Sequence, residues 1–185
     1  EKPFIPQGDN KQDVELANNL QVYGLIKRLE TLPESSNKIV IGISGGLDSA
    51  LALLVSHQAM LKLGRSPKDI IAVTMPATVT SKKSKSIAIK LMEGLDVTLM
   101  EIPISKSVDL HLKSIAHEEK DVTYENAQAR MRTLILMDLA NKHGGFVLGT
   151  GDLSEIAMGW MTYNGDQMSM YGVNSGLPKT WVQLL

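Results

Sequence analysis

The sequence predicts an α/β fold, a doubly wound parallel sheet of about five strands with helices on both faces. Two observations carry that expectation. Short runs of apolar, largely β-branched residues alternate with longer stretches of helical period along the 185 residues. The first and fourth of these runs each end in a glycine-bearing turn that leads into a helix, at Ser44-Gly45-Gly46 and at Thr150-Gly151-Asp152.

Taken in order, residues 1–8, with Pro3, Pro6 and Gly8, read as an extended lead-in. Asn10–Leu32 has apolar residues at helical spacing, and Pro33 to Asn37 break it. Ile39–Ile43 reads as a buried strand, and Ala50–Leu63 as the helix it feeds, closed by Gly64 and Pro67. Ile70–Met75 is a second strand, Ser81–Met92 a helix, Val97–Ile102 a third strand and Ser105–Ala116 a further helix. A charged loop, His117–Asp121, precedes the longest helix, Thr123–Lys142. Thr123, Asn126, Arg130 and Thr133 form a polar stripe on one face of that helix. Gly144-Gly145 caps it and Phe146–Gly149 is the fourth strand. A short fifth strand falls near Met168–Val173. If the fourth strand returns beside the first, a switch point opens between them, and ligands bind in such crevices beyond the carboxyl ends of the strands.

Composition excludes several classes. A net charge of −1 gives no electrostatic footprint for nucleic acid. No apolar run is long enough to span a membrane and no signal-peptide pattern is present, so the sequence reads as cytoplasmic. With no cysteine, this chain has no thiol nucleophile and no thiolate metal site. His57, His111, His117 and His143 show no ligand spacing and read as surface residues.

Chemistry concentrates in Gly42-Ile43-Ser44-Gly45-Gly46-Leu47-Asp48-Ser49. Small residues at a strand-to-helix turn let backbone N–H groups approach an anion, and the helix N-terminus adds partial positive charge. A plain tight turn is the alternative reading. A Walker A loop requires a Gly-Lys pair, which occurs nowhere in the chain. The string resembles instead the SGG-x-DS pyrophosphate loop of the N-type ATP pyrophosphatases. Three further stretches, Tyr124–Arg132, Gly149–Glu155 and Gly159–Asp166, together with Pro178-Lys179-Thr180, are similar to the synthetase domain of the NAD⁺ synthetases. The version with Tyr124-Glu125-Asn126 and Trp160 is most similar to the glutamine-dependent, two-domain form.

That resemblance implies an adenine nucleotide alpha-hydrolase-like fold and an ATP-dependent ligase. The carboxylate of deamido-NAD would be adenylated with loss of pyrophosphate, and ammonia would then displace AMP to give NAD⁺. It implies Mg²⁺ held by Asp48 and Glu155, with ATP contacted by Gly42, Ser44, Gly45, Gly46, Asp48, Ser49, Thr150 and Lys179. Asn126, Arg130, Glu155 and Trp160 match positions near the dinucleotide. Asp48, Glu155 and Asp166 match catalytic positions, Asp166 as acceptor of the surplus proton of ammonia. A homo-oligomer is implied as well, with ammonia supplied by a glutaminase domain outside this chain.

Each residue also has a plainer reading. Asp48 suits a helix N-terminus by charge alone, Glu155 an exposed helix face, and Arg130 a surface pair with Asp138 or Glu125. Trp160 and the nearby methionines equally suit core packing. The chain departs from the family at Val79, where a glycine is usual, and at Lys83, where an arginine is usual; lysine keeps the charge but loses the bidentate fork. Residues 1–37 are expected to be a linker and lead-in helix, Lys2–Pro6 resembling the segment that follows the glutaminase domain. Residues 38–185 are expected to be the synthetase domain, short of the C-terminal part that helps close the family's active site. Two other functions remain open: a tRNA-modifying pyrophosphate-loop enzyme, which would want a basic face and cysteines, and an ATP-binding module without turnover.

Overall fold

The computed structural model describes residues 10–77 and 82–185. The expected lead-in at 1–8 and the departure at Val79 lie outside the described residues. Five strands, β1 (Lys38–Gly42), β2 (Ile70–Thr74), β3 (Thr98–Glu101), β4 (Gly145–Gly149) and β5 (Tyr171–Gly172), form one sheet. Their order is β3-β2-β1-β4-β5 and every pairing is parallel. The fifth strand is shorter than Met168–Val173, because only Tyr171 and Gly172 reach the β4 ladder.

Each central strand is apolar on both sides, as a sheet covered on both faces requires. Ile39 and Ile41 of β1 pack with α1 (Lys11–Glu30) and α2 (Leu47–Lys62), in a cluster that includes Val22, Leu25, Leu29, Leu53 and Met60. Val40 points to the other face, where Val73 and Val147 meet Val108 of α4 (Ser105–Ser114) and Leu139 of α5 (Val122–His143). The side chains alternate because successive Cβ atoms in a strand leave on opposite faces. α3 (Lys82–Gly94) joins the first face through Ala88 and Met92, and Lys83 is exposed on it. Among the described residues no helix is long and apolar enough to cross a membrane.

Helix ends follow local chemistry. The side chain of Asp121 accepts the N–H groups of Thr123 and Tyr124 at 2.8 and 3.2 Å and starts α5. Gly144, at φ 65°, ends it in the left-handed conformation. α2 begins at Leu47, three residues before the expected Ala50. Extended Gly46 acts as its N-cap, so Asp48 lies in the first helical turn rather than in the preceding loop.

The loop from β1 to α2 is shaped by Gly45, which has φ +86°, and a Cβ there would meet the backbone carbonyl of Ser84 on α3. Both the dihedral and the close approach demand glycine. Gly45→Ala should therefore destabilise the protein by about 1–2 kcal/mol from the dihedral alone, with the contact adding to it. Urea unfolding of both forms measures this, and an unchanged midpoint would contradict the geometry.

Candidate active site

The turns after β1 and β4 stand side by side because those strands are neighbours in the sheet. Their ladder runs from the Lys38–Gly145 pair to the Ile41–Leu148 pair, and beyond it lies a cavity of about 650 Å³. The floor includes Gly42, Leu148 and Gly149, and the walls include Ser44, Met75, Thr150, Glu155 and Asp166. This is the crevice expected at a topological switch point.

The first turn is held by its own hydroxyls. Ser49 Oγ donates to the Gly46 carbonyl at 3.0 Å, accepts from the Ser44 N–H at 3.3 Å and lies 3.2 Å from Ser44 Oγ. The Gly46 N–H donates to Ser44 Oγ at 3.2 Å. Ser49 is buried while Ser44 and Gly46 are exposed, so the loop is fixed from beneath and open above. N–H groups in the first turn of a helix have no intrahelical acceptor, and such helix starts favour anions.

The second turn starts α6 (Leu153–Met158) through a capping box. Asp152 Oδ1 accepts the Glu155 N–H at 2.8 Å, and Glu155 Oε2 accepts the Asp152 N–H at 3.2 Å. The other carboxylate oxygen of Asp152 lies 2.9 Å from Lys179 Nζ. Lys179 opens the short helix α7 (Lys179–Val182), where its backbone N–H donates to Ser154 Oγ at 3.0 Å. Its ammonium also donates to both oxygens of Asp48, at 2.7 and 2.6 Å.

Two carboxylates, Asp48 and Asp152, thus share one ammonium, and with Glu155 beside them the cluster keeps net negative charge. Burial, together with the charges of Asp48 and Asp152, raises Glu155 above its ordinary value, against the opposing pull of the Asp152 N–H and Lys179. Burial alone would raise Asp152 too, but the N–H groups of Glu155 and Ser154 and the Lys179 ammonium hold it below its ordinary value. For Lys179, burial is outweighed by Asp48 and Asp152, and its pKa rises. A cluster of oxygen donors with surplus negative charge fits a hard divalent cation such as Mg²⁺.

Not all residues expected at the site lie together. Gly42, Ser44, Thr150, Glu155 and Asp166 line the cavity, and Lys179 links Asp48 to Asp152, the residue that caps the helix of Glu155. Asn126 and Arg130 instead grip a neighbouring segment. Asn126 Oδ1 accepts from Thr162 Oγ1 at 2.9 Å, and Arg130 Nε donates to the Tyr163 carbonyl at 3.2 Å, not to Asp138 or Glu125. Arg130 lines a second hollow of about 360 Å³ with His111, Leu134 and Asn164. Trp160 is 79% exposed, so it is not core packing. Asp166 Oδ1 accepts the Thr162 N–H at 2.8 Å and closes a turn at the cavity wall.

Three residues escaped the sequence reading. Asp152, fully buried, was legible as the first residue of a D-x-x-E capping box. Arg132 lies two residues from Arg130, hence on another face of α5, and lines the large cavity. Burial holds its guanidinium below the ordinary arginine value, with the charge of Asp166 opposing. Asn174, also fully buried, donates to the carbonyls of Asp48 and Thr150, and no local pattern marks it.

Asp152 generates a pH prediction. Its pKa is depressed below 3.8, so its contribution to stability is complete above that value and is lost as pH falls through the lower folded value. Asp152→Asn keeps a capping side chain but removes the charge. It should cost on the order of 1–3 kcal/mol at pH 7, and the gap to wild type should narrow below about pH 3.8. Urea titrations at both pH values check this.

Comparison with known proteins bears on the family of the chain and on its fold. The family model for NAD synthase matches residues 21–185. A glutamine-dependent NAD(+) synthetase of Mycobacterium leprae is 50% identical over 99% of this chain, and the chain spans 28% of that relative's length. Among solved structures, a glutamine-dependent NAD+ synthetase from Acinetobacter baumannii in complex with ADP superposes with a TM-score of 0.84 at 29% identity, over 96% of this chain and 33% of that one. An NMN synthetase from Francisella tularensis superposes with a TM-score of 0.80 at 27% identity, over 91% and 67%. With one family model covering most of the chain and a relative 50% identical over nearly all of it, this chain belongs to the NAD synthase family.

Proposed function

We propose that this chain amidates deamido-NAD to NAD⁺ at the expense of ATP. The observation that carries the reading is one cavity at the β1–β4 switch point lined by Ser44 of the pyrophosphate loop and by Glu155 of the second turn, with Lys179 joining Asp48 to Asp152. The substrate carboxylate attacks the α-phosphorus of ATP and the bond to pyrophosphate breaks. Ammonia then attacks the acyl carbon, AMP leaves, and one proton is released. Neither step needs a protein nucleophile, in keeping with a chain that has no cysteine.

The residues divide the work. Ser44, Gly45, Gly46 and Ser49 form the cradle in which the departing pyrophosphate is held, and Thr150 closes the opposite wall. Asp48 and Glu155 would hold Mg²⁺, which when bound offsets phosphate charge. Lys179, held by Asp152 and Ser154, would contact the phosphates. Arg132 brings a second cation to the cavity. Asp166, on the cavity wall, would take the proton that ammonia sheds. The hollow beside Arg130, and separately the exposed ring of Trp160, support binding of the far half of a dinucleotide beyond the cavity. Ammonia is the direct nitrogen donor, and the relatives named glutamine-dependent support its supply by a glutaminase domain.

The likeness to a structure named NMN synthetase supports a second substrate, the nicotinate mononucleotide. The two separate on kcat/KM: deamido-NAD should be preferred if the outer hollow is used. Arg130→Ala should raise the KM for deamido-NAD and leave that for ATP nearly unchanged. A defect mainly on the ATP side would remove Arg130 from the dinucleotide site.

The central test is Mg²⁺- and deamido-NAD-dependent release of pyrophosphate by the complete protein with ammonia absent. Asp48→Asn and Glu155→Gln should each slow it by about a hundredfold or more. Release at the wild-type rate by either variant would sink the metal assignment.

A further inference from the structure

We propose that Asn174 is a positioning residue that sets the separation of the two loops on which adenylation depends, with Gln21 of α1 holding it in place. The proposal rests on the functional reading above. The backbone ladder between β1 and β4 ends at the Ile41–Leu148 pair, just where the cavity begins. Past that point the turn bearing Asp48 and the turn bearing Thr150 need another tie. Asn174 supplies it: one side-chain N–H donates to the Asp48 carbonyl at 2.9 Å and the other to the Thr150 carbonyl at 3.0 Å.

The tie is directional and anchored. An amide has two N–H donors, and both are spent on the two loops. Its oxygen accepts from Gln21 Nε2 at 2.9 Å, and the second N–H of Gln21 donates to the Val173 carbonyl at 3.0 Å. Asn174 is fully buried and Gln21 is 8% exposed, so water cannot stand in for either partner. β5 pairs with β4 through Leu148–Tyr171 and Gly149–Gly172, and so delivers Asn174 two residues beyond its end. The chain from α1 to β5 thereby reports to one carbonyl on each side of the crevice. Moving that amide moves the backbone of Asp48, whose carboxylate holds Lys179, and of Thr150 together.

A buried amide that merely completes the fold would affect stability alone. A positioning role also alters what the folded protein does, because reacting groups misplaced by about 1 Å lose on the order of a hundredfold in rate. Asn174→Asp separates the two: it keeps the shape but turns acceptor oxygens toward two carbonyls. Gln21→Met is the milder partner, removing both anchoring N–H groups at similar volume.

The experiment uses the complete protein, with the folded fraction set by thermal denaturation. It measures single-turnover pyrophosphate release with deamido-NAD and no ammonia, and Mg·ATP binding by titration calorimetry. Asn174→Asp should slow release about tenfold or more per folded site and weaken Mg·ATP by a similar factor, with Gln21→Met showing a smaller change in the same direction. Wild-type rate and affinity in the folded fraction, with only a lower melting temperature, would overturn the proposal. If Asn174→Asp does not fold, Gln21→Met decides alone: slower release per folded site supports the tie and an unchanged rate refutes it. If the wild type releases no pyrophosphate, the functional reading fails, and the Mg·ATP affinities of the variants still settle the role of Asn174.

Discussion

The separation of β1 and β4 at their carboxyl ends is the constraint on which the site depends. Parallel neighbours share a continuous ladder only as far as Ile41 and Leu148, and the cavity opens where it stops. A crevice in the middle of a sheet leaves backbone groups that the ladder no longer pairs, and buried polar groups are costly when unpaired. Side chains meet that demand. Ser44 and Ser49 staple the first turn, the Asp152–Glu155 capping box staples the second, and Asn174 spans the two.

Charge follows from the same crowding. Asp48, Asp152 and Glu155 are brought close by turns that leave adjacent strands, and like charges in a partly buried setting raise one another's energy. Lys179 relieves Asp48 and Asp152, whereas Glu155 keeps a raised pKa. The cluster therefore holds its shape while keeping surplus negative charge. Asparagine would cap α6 as well as aspartate does. The second oxygen of Asp152, directed at Lys179, is what aspartate adds.

α5 serves two sides of the molecule. Its Leu139 and Ala140 bury against the sheet, and Arg132 looks into the large cavity. Asn126 and Arg130 look elsewhere and hold the segment around Thr162 and Tyr163, which carries Asp166 to the cavity wall. A helix turns 100° per residue, about 200° over two residues, so Arg130 and Arg132 serve different hollows although they are near neighbours in sequence. The segment they border leaves Trp160 and Tyr163 largely in solvent, at 79% and 85% exposure.

Local sequence alone determined the strand and helix series, the glycine turn at Gly45 and the pattern that ties this chain to its family. Each of these rests on neighbours within about one helical turn or one strand, where period, capping and backbone permissiveness act. The start of α2 was misplaced by three residues because glycine caps leave little mark in a sequence. What only the tertiary structure decided was partnership across the sheet. Lys179 meets Asp48 across 131 residues, and Asn174 reaches Asp48 across 126 and Thr150 across 24. An asparagine after a two-residue strand has no period, cap or charge to announce it. Its role exists only because strand order sets two distant turns beside it and burial denies them water.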